Sequence, residues 1–377
     1  MPASTPLPGW PPRAGEPSQN LAQETSMNRI NPLRRAAALL AAAVLPLPAA
    51  WAQAPAAPAA APAASPTLAA VRARGTLNCG VIGSSANFSL PDSQGVMRGI
   101  DADSCRTLAA AIFGDASKVK FVSLTPPQRL VAVQSGEVDV AYANITWTMT
   151  RETKSGVQFT AVNFYDTWGV MVPKALKVGS TTKLNGASVC MIAGPGETNS
   201  AEYFGKIKVR FKPVAFAEGE QMRKAYLAKR CDAIFHNVSA LASFRGTLGP
   251  QATDHLLLPE THSREPLAGA VRKGDDRWFD IARYVWNAQV AAEELGITSQ
   301  NVKTFTTSTD PDVKRLLGID GDLGPSLGLE KDWAVQVITQ VGNFGEMWER
   351  AFAASGMPRG PNRLASQGGL MYAYPMR

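Results

Sequence analysis

The stretches LVAVQSGEVDVAYAN (130–144) and RKAYLAKRCDAIFHN (223–237) align without a gap. The alignment sets Asp139 on Asp232, Tyr142 on Phe235 and Asn144 on Asn237. Each reads as the end of a helix running into a strand that leaves at an asparagine. The question is whether the repeat extends outward from these two stretches.

It does. Before the first stretch, TLNCGVI (76–82) reads as a buried strand and DADSCRTLAAAIFGD (101–115) as a helix with Cys105, Leu108, Ala109 and Ile112 on one face. FVSL (121–124) is a second strand, PPQRLVAVQSGE (126–137) a helix opened by prolines and closed at Ser-Gly, and VDVAYANIT (138–146) a third strand. Around the second stretch, ASVCMIAG (187–194), VRFKPVAF (209–216) and CDAIFHNVS (231–239) read as strands. ETNSAEYFGK (197–206) and GEQMRKAYLAKR (219–230) read as the helices between them. Cys79 and Cys190 fall in corresponding first strands. Two β-α-β-α-β runs imply an α/β protein of two similar lobes, each a mainly parallel sheet flanked by helices. Open α/β sheets bind ligands outside the carboxyl ends of their strands. Two facing lobes therefore line a cleft with strand-exit residues from both sides. VMVPKAL (170–176) reads as the outward hinge and LPETHSREPL (258–267) as the return. The expected order is lobe 1 at 67–172, an inserted lobe 2 at 173–264, and a return to lobe 1 with a C-terminal helical extension at 265–377.

The N-terminal region has a different character. From Met27, basic Arg29, Arg34 and Arg35 precede an apolar stretch from Ala36 to Ala50 and the small-x-small site Ala50-Trp51-Ala52. That is the pattern of a secretory signal peptide at 27–52, with residues 1–26 an over-extended start and QAPAAPAAAPAASP (53–66) a Pro/Ala tether. The arginine pair lacks the rest of a twin-arginine motif. Removal of residues 1–52 would leave about 325 residues, enough for two domains, and would lower the net charge to about +5. No dense basic run with interleaved aromatics appears, which argues against nucleic acid. No later apolar run reaches transmembrane length.

All four cysteines, Cys79, Cys105, Cys190 and Cys231, lie in the part that would be exported. An even count in an oxidising compartment favours disulfides, and four cysteines allow three pairings. No C-x-x-C occurs and the three histidines are scattered, so no metal site is expected. AGPGET (193–198) lacks the third glycine of a dinucleotide fingerprint and the lysine of a P-loop, so no cofactor is expected.

FGDASKVKFVSL, VQSGEVDVAYANITWTMTRET, RCDAIF, DRWFDIARYVWNAQVAAEELGITSQNV, RLLGIDGDLGPSLGL, DWAVQVITQVGNFGEMWER and GGLMYAYP together give the chain a family resemblance from 67 to 377. It resembles the periplasmic amino-acid-binding proteins of bacterial ABC uptake systems, the general L-amino-acid-binding group with its type II solute-binding fold and long C-terminal extension. The resemblance implies a periplasmic, monomeric binding protein, not an enzyme, that delivers an amino acid or related small carboxylate to ABC permease subunits. It implies that the Asn144 carbonyl and the Thr146 hydroxyl take the ligand's ammonium, that Arg151 takes its carboxylate, and that Phe88 forms an aromatic floor. Taken alone, Arg151 is a solvated surface charge. The repeat geometry and the family resemblance together reverse that reading, and a guanidinium is a planar fork matched to a carboxylate. In the second lobe Gly194, Gly196, Glu197 and Thr198 open a helix whose free N–H groups can meet an anion.

Two positions depart from the family. Pro195 stands where threonine is usual, and Asn237 stands where an aspartate usually pairs with the ammonium. Either Glu197 supplies that carboxylate, or neutral acceptors hold the cation, or the ligand has no α-ammonium. The two-lobe reading implies the disulfides Cys79–Cys105 and Cys190–Cys231, since a cross-lobe bond would lock the cleft. A secreted enzyme on the same fold, cyclohexadienyl dehydratase-like with Glu197 as general acid, is the rival reading. A soluble partner of a chemoreceptor would use the same site.

Overall fold

The computed structural model describes residues 64–355 and 357–377. The expected signal peptide, the segment before it and tether residues 53–63 lie outside the described residues. Ser65 and Pro66, the last residues assigned to the tether, belong to the folded part. Ser65 accepts the Leu68 N–H as N-cap and Pro66 opens helix α1 (Pro66–Arg74). The Ser65 hydroxyl also donates to Asp275 at 2.8 Å.

The chain continues through β1 (Leu77–Val81), a small hairpin of β2 (Leu90–Pro91) and β3 (Met97–Arg98), α2 (Ile100–Phe113), β4 (Val119–Ser123), α3 (Gln128–Ser135), β5 (Val140–Ala141), α4 (Met149–Lys154) and β6 (Val157–Pro173). The second run is β7 (Ser188–Ile192), α5 (Pro195–Lys206), β8 (Lys212–Phe216), α6 (Gly219–Leu227), β9 (Ala233–Asn237), α7 (Val238–Thr247) and β10 (His255–Arg272). The helices α8 (Asp276–Glu294), α9 (Pro311–Leu316), α10 (Leu323–Leu327), α11 (Trp333–Val341) and α12 (Phe344–Phe352) follow.

Eight strands form one ladder in the order β4-β1-β5-β10-β6-β9-β7-β8. β1 pairs in parallel with β4 and β5, and β7 pairs in parallel with β8 and β9. β6 and β10 run antiparallel and stitch the two parallel triplets together through β5 and β9. Residues 170–173 of the outward hinge, ahead of a 3-10 turn at Lys174–Leu176, and all of the return at 258–267 thus belong to strands 17 and 18 residues long. Their alternation is hidden in the sequence because β10 slips register repeatedly against β6, for example between Leu257 and Thr261 and between His262 and Glu265.

The repeat has a structural counterpart in the two aligned aspartates. Asp139 accepts the Asn78 N–H at 2.8 Å and Asp232 accepts the Ser188 N–H at 2.8 Å. Each returns its own N–H to the same partner's carbonyl at 2.9 Å. In both halves an aspartate therefore fastens the start of the third strand to the start of the first. This register makes Cys79, opposite Val140, equivalent to Val189, opposite Ala233. Cys190 sits one residue further along, which in a strand means the opposite face. Accordingly Cys79 bonds Cys105 on α2, whereas Cys190 packs on the α6 side and bonds Cys231.

One strand is shorter than expected. β5 spans Val140–Ala141 rather than 138–146, because Asn144 takes a left-handed φ of 50° and swings the chain out of the ladder. The chain touches the sheet again at Thr146, which bridges Leu267 of β10. Close approach here needs a glycine. A Cβ on Gly269 would lie 2.5 Å from the Tyr142 ring.

The C-terminal helices complete the first half. α8 and α11 bury Trp278, Ile281, Val285, Trp333, Val337 and Ile338 against α2 and β1. Arg350 on α12 pairs with Asp103 on α2 at 2.8 Å, and Arg359 clasps Glu293 on α8.

Candidate ligand-binding site

The left-handed turn at Asn144 organises the first group of polar side chains. The Asn144 N–H donates to the buried carboxylate of Asp101 at 3.1 Å, and Asn163 donates to the same carboxylate at 2.8 Å. Burial pushes Asp101 up to about 6, against those two hydrogen bonds and the charge of Arg129. Arg129 Nη1 donates to the Asn144 carbonyl at 3.2 Å. The carbonyl expected to meet an ammonium therefore already accepts from a guanidinium. Arg129 Nε and Asn144 Oδ1 are buried with no protein partner. Orphaned polar atoms of this kind are uncommon, and two of them here lie on residues joined by the Arg129–Asn144 hydrogen bond.

Arg129 was not singled out in the sequence, although a signal was there. It is the second residue of α3, where the positive end of the helix dipole disfavours a cation. A basic residue in that position calls for another reason. Burial lowers its pKa to about 10, Asp101 opposes the shift, and the like charge of Arg151 adds to it.

Arg151 lies in the short helix α4, capped by Thr148. Its Nη1 donates to the Thr146 carbonyl at 2.7 Å. Burial lowers its pKa while the charge of Glu265 raises it. Among the described residues no carboxylate lies within 4.0 Å of Arg151. The Thr146 hydroxyl donates to Glu265 Oε2 at 2.5 Å, and Ser263 donates to Oε1 at 2.9 Å. Glu265 is cross-strand partner to Asp166. Asp166 is buried and pushed up to about 6 by that burial, with Glu265's charge adding to the rise. Asp166 accepts the hydroxyl and N–H of Ser239, two residues beyond Asn237, so a carboxylate pair on β6 and β10 links the first turn to the start of α7.

The second half supplies fewer charges. Gly194, Gly196, Glu197 and Thr198 lie together at the N-terminus of α5, with Pro195 at its first position. Glu197 folds back to accept the Gly194 N–H at 2.8 Å, the half of a capping box that a glycine N-cap allows, and Thr198 donates to the Gly194 carbonyl at 3.2 Å. Asn237 ends β9 opposite Trp168, and its N–H donates to His236 Nδ1 at 2.8 Å. Burial holds His236 down at about 4, with Arg223's charge adding to the shift, so the ring is neutral at pH 7 and can accept that bond. Trp168 Nε1, beside this pair, is buried without a partner. Among the described residues no hydrogen bond joins the α5 N-terminus to the Thr146 group. The two halves do meet where Asn87 donates to Ser243 on α7 at 2.7 Å.

Phe88 lies in the core. It is 1% exposed and packs edge-on against Phe164 and Phe352 at ring separations of 5.0 and 5.5 Å. Its position beneath the loop follows from that packing.

Known proteins show the same architecture. Residues 77–300 match the bacterial extracellular solute-binding proteins, family 3. The chain belongs to that family. It is 44% identical over 316 residues to the glutamate/glutamine/aspartate/asparagine-binding protein BztA of Rhodobacter capsulatus, covering 82% of this chain and 93% of that one. It is 43% identical over 318 residues to the general L-amino acid-binding periplasmic protein AapJ of Rhizobium johnstonii, with the same coverage. A periplasmic binding protein of an ABC transporter from Brucella ovis, solved with glutathione bound, superposes with a TM-score of 0.79 at 43% identity. That match covers 82% of this chain and 99% of the other.

Proposed function

We propose that the protein is a periplasmic solute-binding protein that takes up an α-amino-carboxylate ligand between its two halves and presents it to an ABC permease. The observation that carries this is the arrangement around Thr146. Arg151 is fixed by the Thr146 carbonyl, half-buried and, among the described residues, without an ion pair, near a second half-buried arginine, Arg129, whose Nε is buried and unpartnered. A desolvated guanidinium so held is a site for a carboxylate. The relatives named for amino-acid binding share most of their length with this chain. Glutathione, bound in the Brucella protein, carries an α-amino-carboxylate head on its glutamyl residue and belongs to the same ligand class.

The site set is Asn144, Thr146 and Arg151 from the first half, with Arg129 added, and Gly194, Gly196, Glu197, Thr198 and Asn237 facing them. Phe88 supports the floor from the core. The halves run 67–172 with 265–377, and 173–264, and the protein works as a monomer without enzymatic turnover. A thermal-shift screen over the twenty amino acids, small carboxylates and glutathione tests the proposal. A ligand at about 100 times its Kd adds roughly 2.7 kcal/mol of stability. No shift with any amino acid or with glutathione would overturn the proposal.

A further inference from the structure

We propose that Glu265 is the carboxylate that receives the ligand's α-ammonium, the role left open by the asparagine at position 237. This rests on the amino-acid reading of the site above and names its second charged contact. Nothing in the sequence marked Glu265, which lay within a segment read as a hinge. In the structure it is half-buried on β10, two residues before Leu267, the bridge partner of Thr146, and it accepts the Thr146 hydroxyl.

Three features point to a missing cation. A hydroxyl has one proton and two lone pairs. The Thr146 proton is committed to Glu265 Oε2, so what the hydroxyl still offers is acceptor capacity. Each Glu265 oxygen has one partner in the protein, Thr146 on Oε2 and Ser263 on Oε1, and an ionised carboxylate has about four acceptor positions. Among the described residues no Lys, Arg or His nitrogen lies within 4.0 Å of Glu265. Its cross-strand neighbour is a second carboxylate, Asp166, which adds negative charge, opposed by the Arg151 guanidinium, whose charge is felt there without an ion pair. A half-buried carboxylate beside another, with spare acceptors, is stabilised by the arrival of a cation.

The geometry fits the rest of the ligand. Thr146 holds Arg151 by its carbonyl and Glu265 by its hydroxyl. One residue thereby positions a cationic and an anionic group, matching an α-amino acid whose carboxylate and ammonium leave the same carbon. The competing carboxylate, Glu197, is folded onto its own helix, and the Asn144 carbonyl, which already accepts from Arg129, keeps one lone pair but carries no charge.

Calorimetric titration with L-glutamate and with glutarate, the same molecule without the ammonium, tests this on the full chain. Wild type should bind L-glutamate at least about 30-fold more tightly than glutarate. In Glu265→Gln the L-glutamate affinity should fall about 30-fold or more while the glutarate affinity holds or rises, a selective loss that misfolding cannot produce. Adding Asn237→Asp to Glu265→Gln should restore part of the L-glutamate affinity. Equal binding of the two probes by wild type, or equal losses in Glu265→Gln, would overturn the assignment and leave the function standing. Failure of wild type to bind L-glutamate, any other amino acid or glutathione would overturn the function itself.

Discussion

The turn after β5 and the turn after β9 begin from equivalent strands, yet they differ in nearly every chemical respect. At the first, Asn144 is left-handed, leaves two buried atoms without partners nearby, and is surrounded by Asp101, Arg129, Arg151 and Glu265. At the second, Asn237 stays extended at φ −52°, ψ 135°, donates to a neutral histidine, and leads directly into α7. The repeat has kept the scaffold, down to the aspartate that ties strand three to strand one, and has not kept the chemistry. On the proposed site, the charged side chains are concentrated in the half that also carries the C-terminal helices. Position 237 and the start of α5 offer a helix N-terminus and neutral acceptors, with the unpartnered indole N–H of Trp168 beside them on β6.

The largest expected effect concerns the scaffold, where the halves should behave alike. The disulfides close loops with sequence separations of 26 and 41 residues. Replacing either pair by serine should cost roughly 3–4 kcal/mol of stability, slightly more for Cys190–Cys231 because its loop is longer. Urea unfolding of the two double variants checks this. A loss confined to one half would show that the repeat is not mechanically equivalent.

A smaller effect separates the halves by pH. Asp166 is held at about 6 in the folded protein, above the value of 3.8 for a free carboxyl. A carboxyl with a raised folded pKa adds stability below its unfolded pKa, and that contribution is lost as pH rises through the folded one. Between about pH 4 and pH 6 the Asp166 contribution should therefore disappear, and Asp166→Asn, which cannot ionise, should gain on wild type by on the order of 1–3 kcal/mol over that window. Asp101, raised to about 6 by its own burial, should behave the same way in Asp101→Asn. Unfolding titrations at pH 4.5 and pH 7 measure both. A variant that loses ground on wild type as pH rises would contradict the assignment.

The smallest effect belongs to Glu197. Because its carboxylate caps α5, Glu197→Gln should cost no more than about 1 kcal/mol of stability and change ligand affinity less than about threefold. A larger affinity loss in calorimetry would return Glu197 to the recognition site and weaken the contrast between the halves.

Much of the scaffold was legible because it rests on local rules. Proline before Gln128 and glycine at position 136 bracket α3 as read, and the buried apolar run around Cys79 is the strand it was expected to be. The cysteine pairing also followed from the two-lobe reading. What was not legible depends on contacts between distant segments. Residues 170–176 and 258–267 were read only as hinge and return and not as parts of the long strands β6 and β10, because a strand with bulges loses its alternation, and Glu265 was hidden with them. Phe88 has the same loop position in either reading, and only the packing of Phe164 and Phe352 from far along the chain places its ring in the core. Arg151 was singled out by its place after the repeat together with the family resemblance. That its guanidinium is anchored by Thr146, and that Thr146 also holds a carboxylate, could not be read from either.

The most direct test of the contrast is to titrate L-glutamate into Arg151→Ala and Asn237→Ala side by side by calorimetry. Loss of the anchored guanidinium should cost roughly 2–5 kcal/mol, about 30-fold to several thousand-fold in affinity. Loss of one neutral acceptor should cost about 0.5–1.5 kcal/mol, roughly two- to twelve-fold. An Asn237→Ala loss equal to or greater than that of Arg151→Ala, or an Arg151→Ala variant that binds as wild type does, would contradict the account.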